Sequence, residues 1–587
     1  MTDTIHVSVA WPYANGDMHV GHLAGAYLPS DIFARYHRLK GSRVLMVSGS
    51  DSHGTPITVA AEQQGVSPRE LFEKYHLRFL EVQKRIGISY DLFTHTDTEN
   101  HHRVAQDIFL KLLERGHLYR ETQEQLYDEE AGRFLPDRLV EGTCYICGYT
   151  DARGDQCDSC GNLMETTRLI NPRSKLTGHT PVVRTTEHYF LDLAGFKDQL
   201  REYLSDKDYW RPNVINFARN MVEDLRGRPI TRDIEWGIPV PLEGWESKRL
   251  YVWFEAVIGY FSASVEWAKN NGQPDAWKDW WYNPATRMYC FIGKDNIPFH
   301  TVIWQGELMG LSGLYDDDPE RRLVLPYDVP ANEYMNVQGA QFSKSRNWAI
   351  WLPDILERYD PDAIRYYVAS VLPETRDSDF TWEDFVGRNN NELVAWWGNL
   401  VNRVLQFANK HWDGVVPDPG KLRPEDEALL ERIRAGFDEV GELLDGVRLR
   451  RGLEEAMRLA REVNVYLDQM PWFSVIKQDR DEAAKTVYTA LQAITYLKTL
   501  LAPFLPFTAQ QIHEMLGFEG QLFGEQRIVT YHEETRDHAA LIYDPAGAIG
   551  RWEPQPLPPG QRLNNPRPLF KKLDPSVIEE EKARMGT

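Results

Sequence analysis

Two histidines stand three residues apart in His19-Val20-Gly21-His22, just after the turn Pro12-Tyr13-Ala14-Asn15-Gly16. Residues at i and i+3 near a helix start face the same way. Free backbone N–H groups and the helix dipole favour an anion at that end. Imidazole N–H donors would tighten their hold as charge builds on a phosphate. Gly21 has no side chain and leaves room for a flat ring such as adenine. Some 320 residues further on, Phe342-Ser343-Lys344-Ser345 sets a lysine between two serines, a cation able to meet a polyphosphate from the opposite side. Alone, the first motif reads as two satisfied helix histidines and the second as a solvated loop.

A separate constellation is made of sulfur. Cys144-Tyr145-Ile146-Cys147-Gly148 and Cys157-Asp158-Ser159-Cys160-Gly161 are two CxxCG knuckles with nine residues between them. The glycine lets each turn take a positive φ and aim backbone N–H groups at thiolate sulfur. Four such ligands make a closed tetrahedral Zn²⁺ site, structural because no position remains for water. Paired disulfides are the competing reading, disfavoured in a reducing compartment.

Positioning these residues requires several elements. Ile5–Ala10 alternates as a strand, and a helix follows over about 19–39 with a kink expected at Pro29. Val44–Val47 forms a second strand ending at Ser48-Gly49-Ser50-Asp51-Ser52-His53-Gly54. This is a βαβ unit, whose ligands collect beyond the carboxyl ends of the strands, where His19, His22 and Asp51 all lie. Leu250–Phe254 and Met288–Ile292 read as further strands completing the sheet. Segments 391–408, 425–443, 453–467 and 481–500 carry helical apolar spacing. A Pro-rich, then charged, tail from Trp552 is expected to run along the surface.

At 587 residues the chain is long enough for about three or four packed units. Its 42% apolar and 26% charged content is that of a soluble globular protein. No run is long and apolar enough for a bilayer, and the first residues lack a signal-peptide pattern, so no membrane partner and a cytoplasmic address are expected. The net charge of −21 argues against a general nucleic-acid binder, leaving room only for local basic strips such as Arg448-Leu449-Arg450-Arg451.

The two signatures in this order resemble those of class I aminoacyl-tRNA synthetases. The surrounding text is similar to the methionyl-tRNA synthetase family: Asp51-Ser52-His53-Gly54-Thr55-Pro56, then Tyr251 to Tyr260, then Phe291-Ile292-Gly293-Lys294-Asp295 with Phe299-His300. The resemblance covers about residues 5–480 in matching order. It implies an α/β fold: a Rossmann-like parallel-sheet catalytic domain, split by a zinc-knuckle insertion and followed by an α-helical anticodon-binding domain. The expected boundaries are 1–116 and 230–325 for the catalytic halves, 117–229 for the insertion, 326–382 for the linking region with the FSKS loop, 383–550 for the helical domain and 551–587 for the tail.

The activity implied is ligation of methionine to tRNA through methionyl-adenylate. His19, His22 and Lys344, with Mg²⁺, would stabilise in-line attack of a carboxylate on the α-phosphate. Gly21, Ser343 and Ser345 would complete the ATP site. Methionine would lie among Ala10, Trp11, Tyr13, Trp253, Tyr260 and His300 with Asp51 on its α-amino group, a tyrosine O–H or imidazole N–H donating weakly to its thioether. Without the resemblance, Trp253 and Tyr260 read as core. Asn399, Arg403, Pro471 and Trp472 would read the anticodon of initiator and elongator tRNA(Met), with Trp472 as stacking face. Trp472 reads equally as helix-end packing.

The chain departs from the family at Gln341 (usually lysine), Trp11 (often leucine) and Asn296 (often isoleucine). No further oligonucleotide-binding domain follows the helices, so a monomer is expected. The synthetases for leucine, isoleucine and valine carry larger insertions than this one, the cysteine enzyme scatters its zinc ligands, and a non-catalytic tRNA-binding relative stays open through Gln341.

Overall fold

The computed structural model describes residues 3–136, 139–154, 157, 159–160, 164–343, 347–470 and 472–586. Its centre is a parallel sheet of β1 (Thr4–Val9), β2 (Arg43–Ser50), β3 (Leu92–His95), and, after an insertion carrying β4 (Leu118–Asp128) paired with antiparallel β5 (Val182–Leu191), β6 (Arg287–Gly293) and β7 (Ala331–Asn332). The parallel order is β7-β6-β1-β2-β3, so strand order reverses at β1. Apolar β-branched residues keep β1 wholly buried. Around the sheet lie α1 (Leu28–Leu39), α2 (Pro68–Ile86), α3 (Glu99–Glu114) and α4 (Val252–Asn270).

One expectation changes here and another gains detail. Leu250–Phe254 is not a strand: only Arg249–Leu250 pairs, and α4 begins at Val252. Phe254 and Tyr260 are buried on this helix and Trp253 is half-buried, Trp253 and Tyr260 coming to one side two turns apart. The helix after β1 departs from regular α geometry just before Pro29, which has no N–H to donate. Its second turn widens over Leu23–Tyr27, with Leu28 N–H reaching back to Leu23. That leaves the carbonyls of Ala24 and Gly25 without helical donors, and the side-chain amide of buried Asn332 donates to both, at 3.1 and 3.0 Å.

The C-terminal helices include α5 (Asn399–His411), α6 (Pro424–Asp445), α7 (Leu449–Gln469) and α8 (Arg480–Leu501), as their spacing predicts, and a further α9 (Pro506–Met515) that the spacing did not single out. The chain leaves the helical pattern after α9. A hairpin, β8 (Glu525–His532) and β9 (Asp537–Asp544), departs from the bundle and joins the catalytic sheet, β9 pairing antiparallel to β3. The sheet therefore has seven strands. The tail is pinned rather than loose. Leu557 and Leu563 are buried, and Glu581 of α10 (Val577–Ala583) takes Arg358 in a two-point ion pair at 2.6 and 2.8 Å.

Candidate active site

The ends of β1 and β2 carry most of the site. Ala10 and Trp11 continue β1, and Tyr13 bridges to Asp51, whose backbone N–H donates to Pro12 at 2.8 Å. His19 caps the helix start and stacks on His22, ring centroids 3.8 Å apart. Phe342 stacks on the other face of His19 at 4.2 Å. Both rings crowd Gly21, where any Cβ would lie 2.9 Å from each. The flat ring over Gly21 is thus His19 itself, with Phe342 beside it. Lys344 and Ser345 lie outside the described residues. Ser343 and Trp348, on either side of them, exchange backbone hydrogen bonds at 3.0 and 2.9 Å. The next residues dock on the first motif: Val20 N–H donates to Ile350, and Leu352 N–H to Met18. The sequence separation of the two signatures is closed by backbone bonds.

Tyr260 and His300 are buried and joined at 2.6 Å. The Nδ1 of His300 meets the Asn296 carbonyl at 2.9 Å, which can only accept. Nδ1 therefore holds the proton, and Nε2 accepts from the Tyr260 hydroxyl. Burial pushes this imidazole down to about 4, so it is neutral near pH 7. Both donors expected to face a thioether are spent, and what the pair offers instead is a fixed apolar edge. Asn296 contributes its backbone. Trp253 stacks on Phe299 at 4.4 Å and meets Tyr13 edge-on at 6.1 Å. Beside them a cavity of about 220 Å³ is lined by Tyr13, Gly54, Thr55, Arg232, Tyr251 and Trp253 among others. Trp11 fills a slot floored by Gly49 and Gly259, with Tyr260 and His101 flanking it at 6.4 and 6.3 Å. Sequence reading missed Phe342 and those two glycines; only Trp11, a large side chain directly after the first strand, signalled that space was needed.

The four cysteines come together as free thiols, their sulfurs all within 4.8 Å of one another. Cys144–Cys160 and Cys147–Cys157 are separated by 4.0 and 3.6 Å. A tetrahedron of Zn–S bonds has sulfur edges of about 3.8 Å, so the set fits zinc. The backbone N–H groups of Ile146 and Cys147 point at Cys144 Sγ at 3.4 Å, and Gly148 has φ +80°. Gly161 lies outside the described residues.

In the bundle, Asn399 and Arg403 are exposed one turn apart on α5. Trp472 does not offer a free stacking face. It is 5% exposed, packs edge-on to Phe407 at 4.5 Å, lies under Arg403 and donates its N–H to Leu467. The packing reading holds for it, and Phe473, 70% exposed, is the open ring beside it. Pro471 lies outside the described residues. Among the described residues no helix is long and apolar enough to cross a membrane.

A reversing parallel sheet with a histidine pair at its first helix start defines a class I aminoacyl-tRNA synthetase, and the family described as tRNA synthetases class I (M) matches residues 5–405. The anticodon binding domain of methionyl tRNA ligase matches residues 416–534. The chain is 57% identical to methionine–tRNA ligase of Thermomicrobium roseum, covering 100% of this chain and 99% of the relative. It is 48% identical to that of Thermobifida fusca, over 99% and 98%. The fold matches the crystal structure of Mycobacterium tuberculosis methionyl-tRNA synthetase bound by methionyl-adenylate, with TM-score 0.74 and 23% identity over 97% of this chain and 100% of that one. The chain belongs to the methionine–tRNA ligase family.

Proposed function

We infer that the chain activates methionine with ATP to methionyl-adenylate and transfers the methionyl group to the 3′ end of tRNA(Met). The observation that supports this is the packing of Phe342 on His19 and the backbone bonds of Ile350 and Leu352 to Val20 and Met18 at the His19–His22 helix start, which bring the chain on either side of the second signature to the first. His19 and His22, with the N–H groups of that helix start, hold the phosphates. Lys344 supplies the opposing charge as pyrophosphate leaves. Gly21, Ser343 and Ser345 border the nucleotide. Asp51 takes the α-ammonium, and Ala10, Trp11, Tyr13, Trp253, Tyr260 and His300 enclose the side chain. Gln341 leaves Lys344 as the lysine of its motif. Mg²⁺ accompanies ATP and offsets phosphate charge.

In this reading one Zn²⁺ on Cys144, Cys147, Cys157 and Cys160 holds the insertion together. Asn399 and Arg403 offer hydrogen bonds to anticodon bases of initiator and elongator tRNA. Pro471 and Trp472 shape that surface, with Trp472 as its buried support. The enzyme works as a cytoplasmic monomer.

Pyrophosphate exchange run with each amino acid in turn tests the activity. Methionine should stimulate it, and stimulation by another amino acid alone would overturn the assignment. Lys344→Ala should lower the exchange rate about 100-fold or more while leaving methionine affinity little changed. An unaltered rate removes Lys344 from the chemistry.

A further inference from the structure

Beneath Asp51 lies a group of buried ionisable side chains that methionine activation does not use directly. His53 donates its backbone N–H to Asp51 Oδ1 at 3.2 Å. Its ring stands between two acids, with Nδ1 2.9 Å from Glu255 Oε1 and Nε2 3.5 Å from Asp97 Oδ1. Glu255, on α4, also accepts from His101 at 2.9 Å. Asp97 meets His102 at 3.2 Å through the same oxygen. Its other oxygen faces Arg69 at 3.2 Å and Arg536 at 2.8 Å. His53, Glu255, Asp97 and His101 are all buried.

His53, Asp97 and His102 come close enough for a divalent ion. The charge pattern opposes that use: two guanidiniums already exceed the charge of Asp97, and Nδ1 of His53 is taken by Glu255. A dication placed there would meet two arginines with no free carboxylate to offset it. The group is an ion-pair network.

An imidazole with a carboxylate on each side must donate from both nitrogens, so His53 is an imidazolium. Burial alone would lower its pKa, but Glu255 and Asp97 outweigh that and push it up to about 10. Asp51 is in the reverse position. Burial and then the neighbouring Glu255 push its carboxyl well above the usual range, and His53 opposes the rise through its charge and its backbone N–H. The charged or titratable groups around the pair are thus Asp51, Glu255, Asp97, His101, His102, Arg69 and Arg536, with His95 behind. The Trp236 ring closes the remaining side at 5.6 Å from His53.

We propose that His53 and Glu255 are positioning residues that act in opposite senses on the charge of Asp51, and so set the pH range over which the site accepts the α-ammonium of its amino acid. The proposal rests on Asp51 as the amino-group anchor. A protonated Asp51 offers the ammonium no countercharge, so the apparent KM for methionine rises as pH falls through the ionisation of Asp51.

The test is that pH profile in the full-length enzyme, with the KM values for methionine and ATP measured separately by pyrophosphate exchange. His53→Gln should move the midpoint of the methionine profile upward by about one unit or more, a tenfold rise in KM on the acid side. Glu255→Gln should move it downward, because Asp97 still holds the proton on His53 while the charge repelling Asp51 is gone, and the KM for ATP should change less than about twofold in both. Opposite shifts cannot come from general damage to the pocket. Midpoints that stay put or move together overturn the proposal. If His53→Gln does not fold, the downward shift in Glu255→Gln decides alone. Asp51→Asn separates the two readings: it should raise the KM for methionine and flatten the profile. If it leaves that KM unchanged, the anchor itself is wrong. If it behaves as expected while the other midpoints do not move, only the proposal falls.

Discussion

Trp11 shows how one side chain dictates its neighbours. A Cβ on Gly259 would lie 2.6 Å from the indole, and the nearest atoms it would meet all belong to Trp11. Gly259→Ala should therefore destabilise the protein by about 1–3 kcal/mol. In a Trp11→Leu background the same Gly259→Ala change should cost little, because leucine does not reach the slot. Urea unfolding of the four proteins gives the coupling, and purely additive costs would show that the indole does not occupy the slot. The pair Tyr260–His300 teaches a different lesson. Residue types named both as pocket groups, but only the carbonyl behind His300 fixes which atom donates, and a backbone oxygen at Asn296 has no signature in sequence.

At the scale of elements, what could be read depended on how local the cause was. The helix start at His19, the CxxCG knuckles and the amphipathic α5–α8 arise from spacing within a few residues, and these were legible. The start of α4 was not, because Tyr-Val-Trp-Phe favours a strand as strongly as a buried helix, and only packing against the sheet decides. The hairpin was legible in principle: Ile528-Val529-Thr530-Tyr531 and Ala539-Ala540-Leu541-Ile542 flank a polar turn. Its partner, β3, lies more than 400 residues away and could not be inferred from it. The knuckles carry their own prediction. Purified protein should hold about one zinc per chain, and Cys157→Ser should lose it together with protease resistance of the insertion. A fully resistant insertion without metal would make zinc dispensable to that fold.

The whole molecule buries several neutral histidines, and this ties its stability to pH. Burial lowers His6 to about 3, and His76 and His300 to about 4. Each stays neutral in the native state while its unfolded counterpart gains a proton below about 6.5. Their contribution is complete above that value and is lost as pH falls toward 4. Calorimetry should find the Tm falling steadily from pH 6.5 to 4.5, and a Tm flat across that window would contradict their neutrality. The seventh strand sets a further condition. Because β9 covers the edge of β3, a chain ending before Glu525 should expose that edge and lose solubility as well as exchange activity; a soluble, active truncation would show the hairpin to be ornamental. During synthesis the same geometry acts as a clock. The β1–β3 part of the sheet leaves the ribosome early but keeps an open edge until residue 544 has emerged, after all of α5–α9. An unfinished nascent chain therefore lacks the completed sheet, and an enzyme that feeds translation closes its own central sheet only near the end of being translated.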